Sequence, residues 1–508
     1  MTDTHRHTLR NMTDTHRPTP SSDDGLAFLP AHELARCIRR REVSALELLD
    51  LYLGRIARLD GRFNAVPVLD ADRARQRARD ADAALARGAP WGPLHGVPMT
   101  VKESFNIAGL PTTYGFAAFR DNIATSDAVA VQRLKAAGAV IFGKTNVPES
   151  LADWQSFNPV YGTTNNPWDP ARTPGGSSGG SAAALAAGLT ALEIGTDIGA
   201  SIRNPAHYCG VWGHKPTWGV VPLGGHELRP RASADSFDIA VAGPLARSAF
   251  DLALAMEILS APLEAMTPLG RVPMAWRDRG LPPRHCRVAV LFDDAEAEVD
   301  ESVRSALREL VAFLREQGVS VTEDARPVDS AEAHEVYLHL LRAATGAYYD
   351  DTGYAQAQQR AGQYGPDDRS YPARHFRGNT LSHRAWVQFD ARRAALQQRW
   401  AAFFEQHDLL ICPVATTPAF VQNQRGERWE RMVQVNGREQ PGTHSLFWAG
   451  YPIVVGLPAT AVPIGQSAEG LPIGAQIIAP LFADPDGLRF AQWLEREYRA
   501  FVPPPGLA

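Results

Sequence analysis

Apolar residues fall into helical spacing soon after a polar start. In "SALELLDLYLGRIARLD", Leu46, Leu49, Leu53 and Ile56 share one face, and Ser44 with Glu47 three residues on forms a capping-box pattern. A second, more polar helix is predicted over about 70–87. Then the period changes. "GVPMTVKES" reads as a short strand, "DAVAVQRLKAAG" as a helix and "AVIFG" as a buried strand, so helices and strands alternate. "SAAALAAGLTALEIG" is strongly helix-forming. "RVAVLF" predicts a strand, 301–317 a helix and 381–405 a long helix. "LLICPVATTPA", "ATAVPIG" and "PIGAQIIAP" predict strands, and 486–499 a closing helix. The alternation predicts an α/β fold without giving the strand order.

Two stretches break the pattern. "FNPVYGTTNNPWDPARTPGG" is too rich in Pro, Asn and Gly for regular structure, and long loops inside compact domains are often functional. Residues 354–379 are polar and predict an irregular insertion or lid. At the start, "MTDTHR" occurs twice, and residues 1–25 read as a disordered extension before a folded region over 26–508.

Composition adds limits. Of 508 residues, 44% are apolar and 21% charged, ordinary values for a soluble globular protein. The net charge of -5 and the lack of a like-charge block give no reason to expect nucleic acid. No run of about 18 apolar residues indicates a membrane span. Cys37, Cys209, Cys286 and Cys412 are far apart, without CxxC spacing, so neither a metal site nor a disulfide framework is expected. Reduced thiols and a cytoplasmic location are.

Candidate chemistry centres on "PGGSSGGSAAALAAG". A flexible linker would not run straight into an Ala-rich helix. A phosphate cradle lacks the G-K-[ST] or G-x-G-x-x-G context. G-x-S-x-G matches twice, but a nucleophile elbow needs a preceding strand, which "NPWDPARTP" cannot be. A fourth reading joins the serines to Lys102 in "GVPMTVKES" and Ser201 in "TDIGASIR". A serine nucleophile needs a base. A lysine serves if burial pulls its pKa down.

These three pieces, in order, resemble the defining blocks of the amidase signature family: "GVPMTVKESFNIAGLPTT", "NPWDPARTPGGSSGGSAAALAAG" and "GTDIGASIRNPAHYCGVWGHKPTWG". The core of the resemblance spans about 90–230, with weaker similarity from about 26 to the C-terminus. It implies a single large α/β domain with a mixed central sheet covered by helices. It implies a Ser–cis-Ser–Lys triad, with Ser201 as nucleophile, Ser177 as bridge and Lys102 as base. Backbone N–H groups of Ile198, Gly199, Ala200 and Ser201 would form the oxyanion hole, with Ser178, Asp197 and Arg203 bracing the triad. No cofactor or metal is implied, and family members are often homodimers. One departure matters. The usual D-x-G-G-S reads "DIGAS", so Ala200 is strained by roughly 1 kcal/mol if that position needs a positive φ.

By position, "ESLADWQS" runs along the substrate pocket, with Leu151, Ala152 and Trp154 at the acyl site. An apolar wall there favours small, fairly hydrophobic aryl or alkyl amides. Esters and carbamates (urethanes) are open to the same acyl chemistry. The alternatives are an A-type subunit of a tRNA-dependent amidotransferase and a non-catalytic binding protein on the same fold.

Overall fold

In the computed structural model, Ser44 accepts from the Glu47 N–H and the Glu47 carboxylate accepts from the Ser44 N–H, so the capping box forms and opens the helix Ala45–Leu59. The structure describes residues 23–228, 238–267 and 270–507. The expected disorder of 1–25 lies outside the described residues as far as residue 22. From Asp23 the chain is helical, which corrects the last three positions.

Among the described residues, two sheets organise the fold, built from β1 (Val68–Leu69), β2 (Pro98–Lys102), β3 (Val140–Thr145), β4 (Glu193–Asp197), β5 (Trp212–Lys215), β6 (Val241–Ala246), β7 (Arg287–Val290), β8 (Ser320–Glu323), β9 (Leu409–Pro413), β10 (Ala459–Gln466) and β11 (Pro472–Ile478). Eight make a mixed sheet in the order β8-β7-β9-β11-β10-β5-β6-β4. Its β8-β7-β9 end is parallel, with Val288 opposite Val321 and Leu409. The remaining pairings are antiparallel, with Glu193 opposite Leu245 at the β4 edge. A separate sheet, β1-β3-β2, brings Lys102 at the end of β2 beside Thr145. Strands β3, β4 and β9 are buried along their whole length, although β3 ends in Lys144 and Thr145 and β4 carries Glu193, Thr196 and Asp197. The expected α/β domain with a mixed, helix-covered sheet is the one observed.

The Ala-rich stretch is corrected in part. It forms a helix, α1 (Gly179–Ala186), with every residue buried, but the helix ends before Gly188, where φ is 66°. "LEIG" then enters β4 instead of continuing it. Alanine favours helix locally, yet a left-handed glycine and pairing with β6 decide the outcome. Helix α2 (Arg203–Cys209) follows β4 after a five-residue turn and also packs against α1. Later come α3 (Ser330–Gly346), α4 (Asp351–Ala361) and α5 (Tyr371–Asn379). The last two replace the irregular structure expected over 354–379. Helix α4 buries only Ala357, so its apolar period is too weak to read.

Candidate active site

The ends of β2 and β4 and the loop before α1 place Lys102, Ser177 and Ser201 in one buried region. Lys102 is fully buried, Ser177 is 1% exposed and Ser201 6%. Lys102 Nζ donates to Ser177 Oγ at 2.7 Å and to Thr196 Oγ1 at 2.8 Å. Burial lowers the Lys102 ammonium to about 7, against the pull of Asp197, Glu193 and Glu103. Burial also raises the Glu193 carboxyl, to about 8. Lys102 and Ser177 are thus joined by a hydrogen bond, while the Ser201 hydroxyl has no partner among the described residues. Such bonds often tighten only when substrate binds.

The serine loop is held from two sides. The Gly176–Ser177 peptide is cis. A Cβ on Gly176 would run into the Asp153 carbonyl and lie 3.0 Å from Trp154 Cα, so only glycine lets the "ADW" segment lie against the loop. The Ser178 N–H donates to Ser201 O at 3.1 Å, tying the two serine loops together, and Ser178 Oγ reaches Thr196 O at 3.5 Å.

Behind Ser201 stands a buried ion pair. Arg203 Nε and Nη2 reach Asp197 at 3.0 and 2.9 Å. Both side chains are fully buried. Arg203 also donates to Gln476 and to the Ala449 carbonyl. Burial works against the Asp197 carboxylate, but Arg203 and the surrounding N–H donors hold it below the usual range. Removing one partner would leave an uncompensated buried charge, so the pair fixes the turn between β4 and α2.

That turn has a definite polarity. The Ile198 carbonyl accepts from Tyr337 Oη at 3.0 Å, Gly199 O from Trp154 Nε1 at 2.8 Å, and Ala200 O from the Asn204 N–H at 2.7 Å. In a planar trans peptide the following N–H points the opposite way. The Ala200 N–H is directed onto Asp197 Oδ1 at 2.9 Å. This corrects its expected place in an oxyanion hole: it is already bonded to a carboxylate. The N–H groups of Ile198, Gly199 and Ser201 have no partner among the described residues, so three of the four expected donors stay open.

Ala200 has φ 65° and is fully buried. The question left by the sequence resolves toward strain. Replacing Ala200 with glycine relieves roughly 1 to 2 kcal/mol but adds unfolded-chain entropy, leaving a net gain of about 0.5 to 1 kcal/mol. A thermal melt should move up by about 1 °C. A clear fall would mean that the lost methyl packing outweighs the strain.

An open cavity lies beside this turn, lined in part by Ala152, Trp154, Phe420, Met432 and Leu446. Trp154 and Leu446 both border Gly199. Ala152 and Trp154, two of the residues expected along a substrate pocket, line this cavity. Leu151, in a left-handed conformation at φ 55°, is not among the lining residues. The wholly apolar wall is also corrected: Arg342, Arg428 and Arg431 line the cavity with Asp153 as the sole acid.

Sequence reading missed Thr196, Tyr337 and these arginines. Thr196 adjoins Asp197 within a motif already singled out. Tyr337 and Arg342 sit on α3, well over 100 residues downstream, with no local signal. His207, on the helix after Ser201, is not an alternative base. Its Nδ1 accepts from the Gly474 N–H at 2.6 Å, its Nε2 lies 3.0 Å from Thr417 O, and burial pushes it down to about 4.

The family model Amidase matches residues 47–488. Indoleacetamide hydrolase of Bradyrhizobium diazoefficiens is 32% identical over 92% of this chain and 86% of its own length. The A subunit of the glutamyl-tRNA(Gln) amidotransferase of Acidothermus cellulolyticus is 35% identical over 92% of this chain and 94% of its own. A crystal structure of an amidase superposes with a TM-score of 0.73 at 29% identity, covering 92% of this chain and 99% of that one.

Proposed function

The chain belongs to the amidase signature family and is an amide-hydrolysing enzyme, and from that premise we propose that it cleaves small aryl or alkyl amides through an acyl-enzyme on Ser201. Ser201 attacks the carbonyl while its proton passes through Ser177 to neutral Lys102. The developing oxyanion accepts from the N–H groups of Ile198, Gly199 and Ser201. The proton returns to the leaving amine, and water releases the acid. The observation that carries this reading is the contact between Ser177 and a fully buried lysine whose ammonium is lowered to about 7. Trp154, Phe420, Met432 and Leu446 support an aryl or alkyl group in the cavity. The aromatic amide in the name of the indoleacetamide hydrolase points the same way. Esters and carbamates belong to the proposal because the same acyl transfer handles them. So does a cytoplasmic location, which suits four buried free thiols. Among the described residues no helix is long and apolar enough to cross a membrane.

The test is a panel of anilides, aliphatic amides, carbamates and esters assayed on the purified chain. Aryl amides are expected to have the highest kcat/KM, and no turnover of any amide would end the reading. The amidotransferase relative motivates a second reading, as one component of a complex that uses glutamine. Turnover of simple amides by the chain alone, with none of glutamine, would exclude it.

A further inference from the structure

Arg342 projects from α3 into the cavity and is 5% exposed. It has no carboxylate partner among the described residues. One guanidinium nitrogen donates to the Tyr371 hydroxyl, the Cζ lies 5.6 Å from the Tyr371 ring centroid, and Nε is buried with no hydrogen-bond partner. Buried cations are ordinarily paired, because desolvating an unpaired charge is costly. The ring offers only part of that compensation. The other charges nearby do not supply the rest. Arg431 is taken up by Asp153, the one acid of the lining. Arg428 donates to the Ala152 carbonyl. His375, close to Tyr371, is held neutral by burial with Arg342, Arg428 and Arg360 around it. The cavity lining therefore carries excess positive charge beside aromatic and aliphatic side chains.

We infer that the substrate carries a carboxylate, which Arg342, Arg428 and the Tyr371 hydroxyl receive while the scissile amide lies at Ser201. Resting on the reading of this site as the amide-hydrolysing centre, the inference narrows the substrate class to amides with an apolar body and an anionic end. The geometry supports the reach. Trp154 and Leu446 line the same cavity as Arg342 and border Gly199, two residues before Ser201. Tyr371 accepts from Arg342, so its own O–H is free to donate. A carboxylate pairs with a planar guanidinium edge-on, through N–H···O bonds in the guanidinium plane. The carboxylate belongs either to the acyl part, as in the monoamide of a dicarboxylic acid, or to the amine part, as in an N-acyl aminobenzoate.

Calorimetric titration of the Ser201→Ala protein tests this without turnover. Monoanilides of succinic, glutaric and adipic acids are compared with their methyl esters, and N-acetyl-4-aminobenzoate with its methyl ester. In one of the two series the acid should bind about tenfold tighter than its ester, or more. Adding Arg342→Met should close the gap to within about twofold, and Arg342→Lys should keep part of it. Tyr371→Phe, a milder change for a fold that rejects Arg342→Met, should narrow the gap several-fold. Equal binding of acid and ester, or a gap that survives both Arg342→Met and Tyr371→Phe, overturns the inference. Hydrolysis of a neutral anilide by the unaltered protein is read separately. Acid binding with no amide turnover would sink the proposed function and leave the anion site standing.

Discussion

Replacing Ser201 with alanine should lower kcat for a neutral anilide by about 10,000-fold or more, with the fold intact. No other group in the region can stand in for the hydroxyl. Ser177 is turned to Lys102, and His207 has both ring nitrogens engaged. Cys209 donates its thiol to the Pro174 carbonyl at 3.4 Å. The open N–H groups of the turn and the cavity remain, so a residual rate above that in water is expected. The fold should tolerate the change because Ser201 Oγ makes no hydrogen bond among the described residues, and its loss leaves no buried group unpaired. A steady-state assay with a thermal melt checks both halves. Near-normal turnover would remove Ser201 from the chemistry.

Lys102→Met should reduce kcat/KM by about 100- to 10,000-fold, the range for a lost general base. Methionine keeps most of the buried stem and removes the nitrogen, so the test bears on the proton path rather than on packing. Ser177→Ala interrupts the same path at its middle. The double variant should lose little beyond the worse of the two single variants, because groups acting as one unit are not additive. Full multiplication of the two losses would indicate independent roles.

Much of this was readable from the chain because the chemistry is concentrated in local blocks. Lys102 sits on a short apolar strand, Ser177 in a glycine loop entering an Ala-rich helix, and Ser201 after a strand-ending aspartate. Each block forms its own turn of structure. What was not readable depends on distant partners. Whether Ala200 has a positive φ depends on Asp197, Trp154 and Tyr337 holding the turn. The arginine end of the cavity joins α3, α5 and the loop carrying Arg428, and no spacing rule links those segments. The polar stretch at 354–379 read as irregular because α4 buries only Ala357 and α5 buries His375, Gly378 and Asn379 beside Ala373 and Phe376, so neither shows an apolar stripe, yet it brings Tyr371 to Arg342.

The central claim is that a buried, neutral lysine starts the reaction. The ordinary lysine value is 10.5, and burial brings Lys102 to about 7. The base form therefore gains with rising pH, and the sign of the effect is fixed. The most direct measurement is the pH dependence of kcat/KM for a neutral anilide between about pH 5 and pH 10. The expected result is a rise centred near 7 that levels off above it and is absent from the residual activity of Lys102→Met. A flat or acid-favoured profile, or the same rise in Lys102→Met, would contradict it.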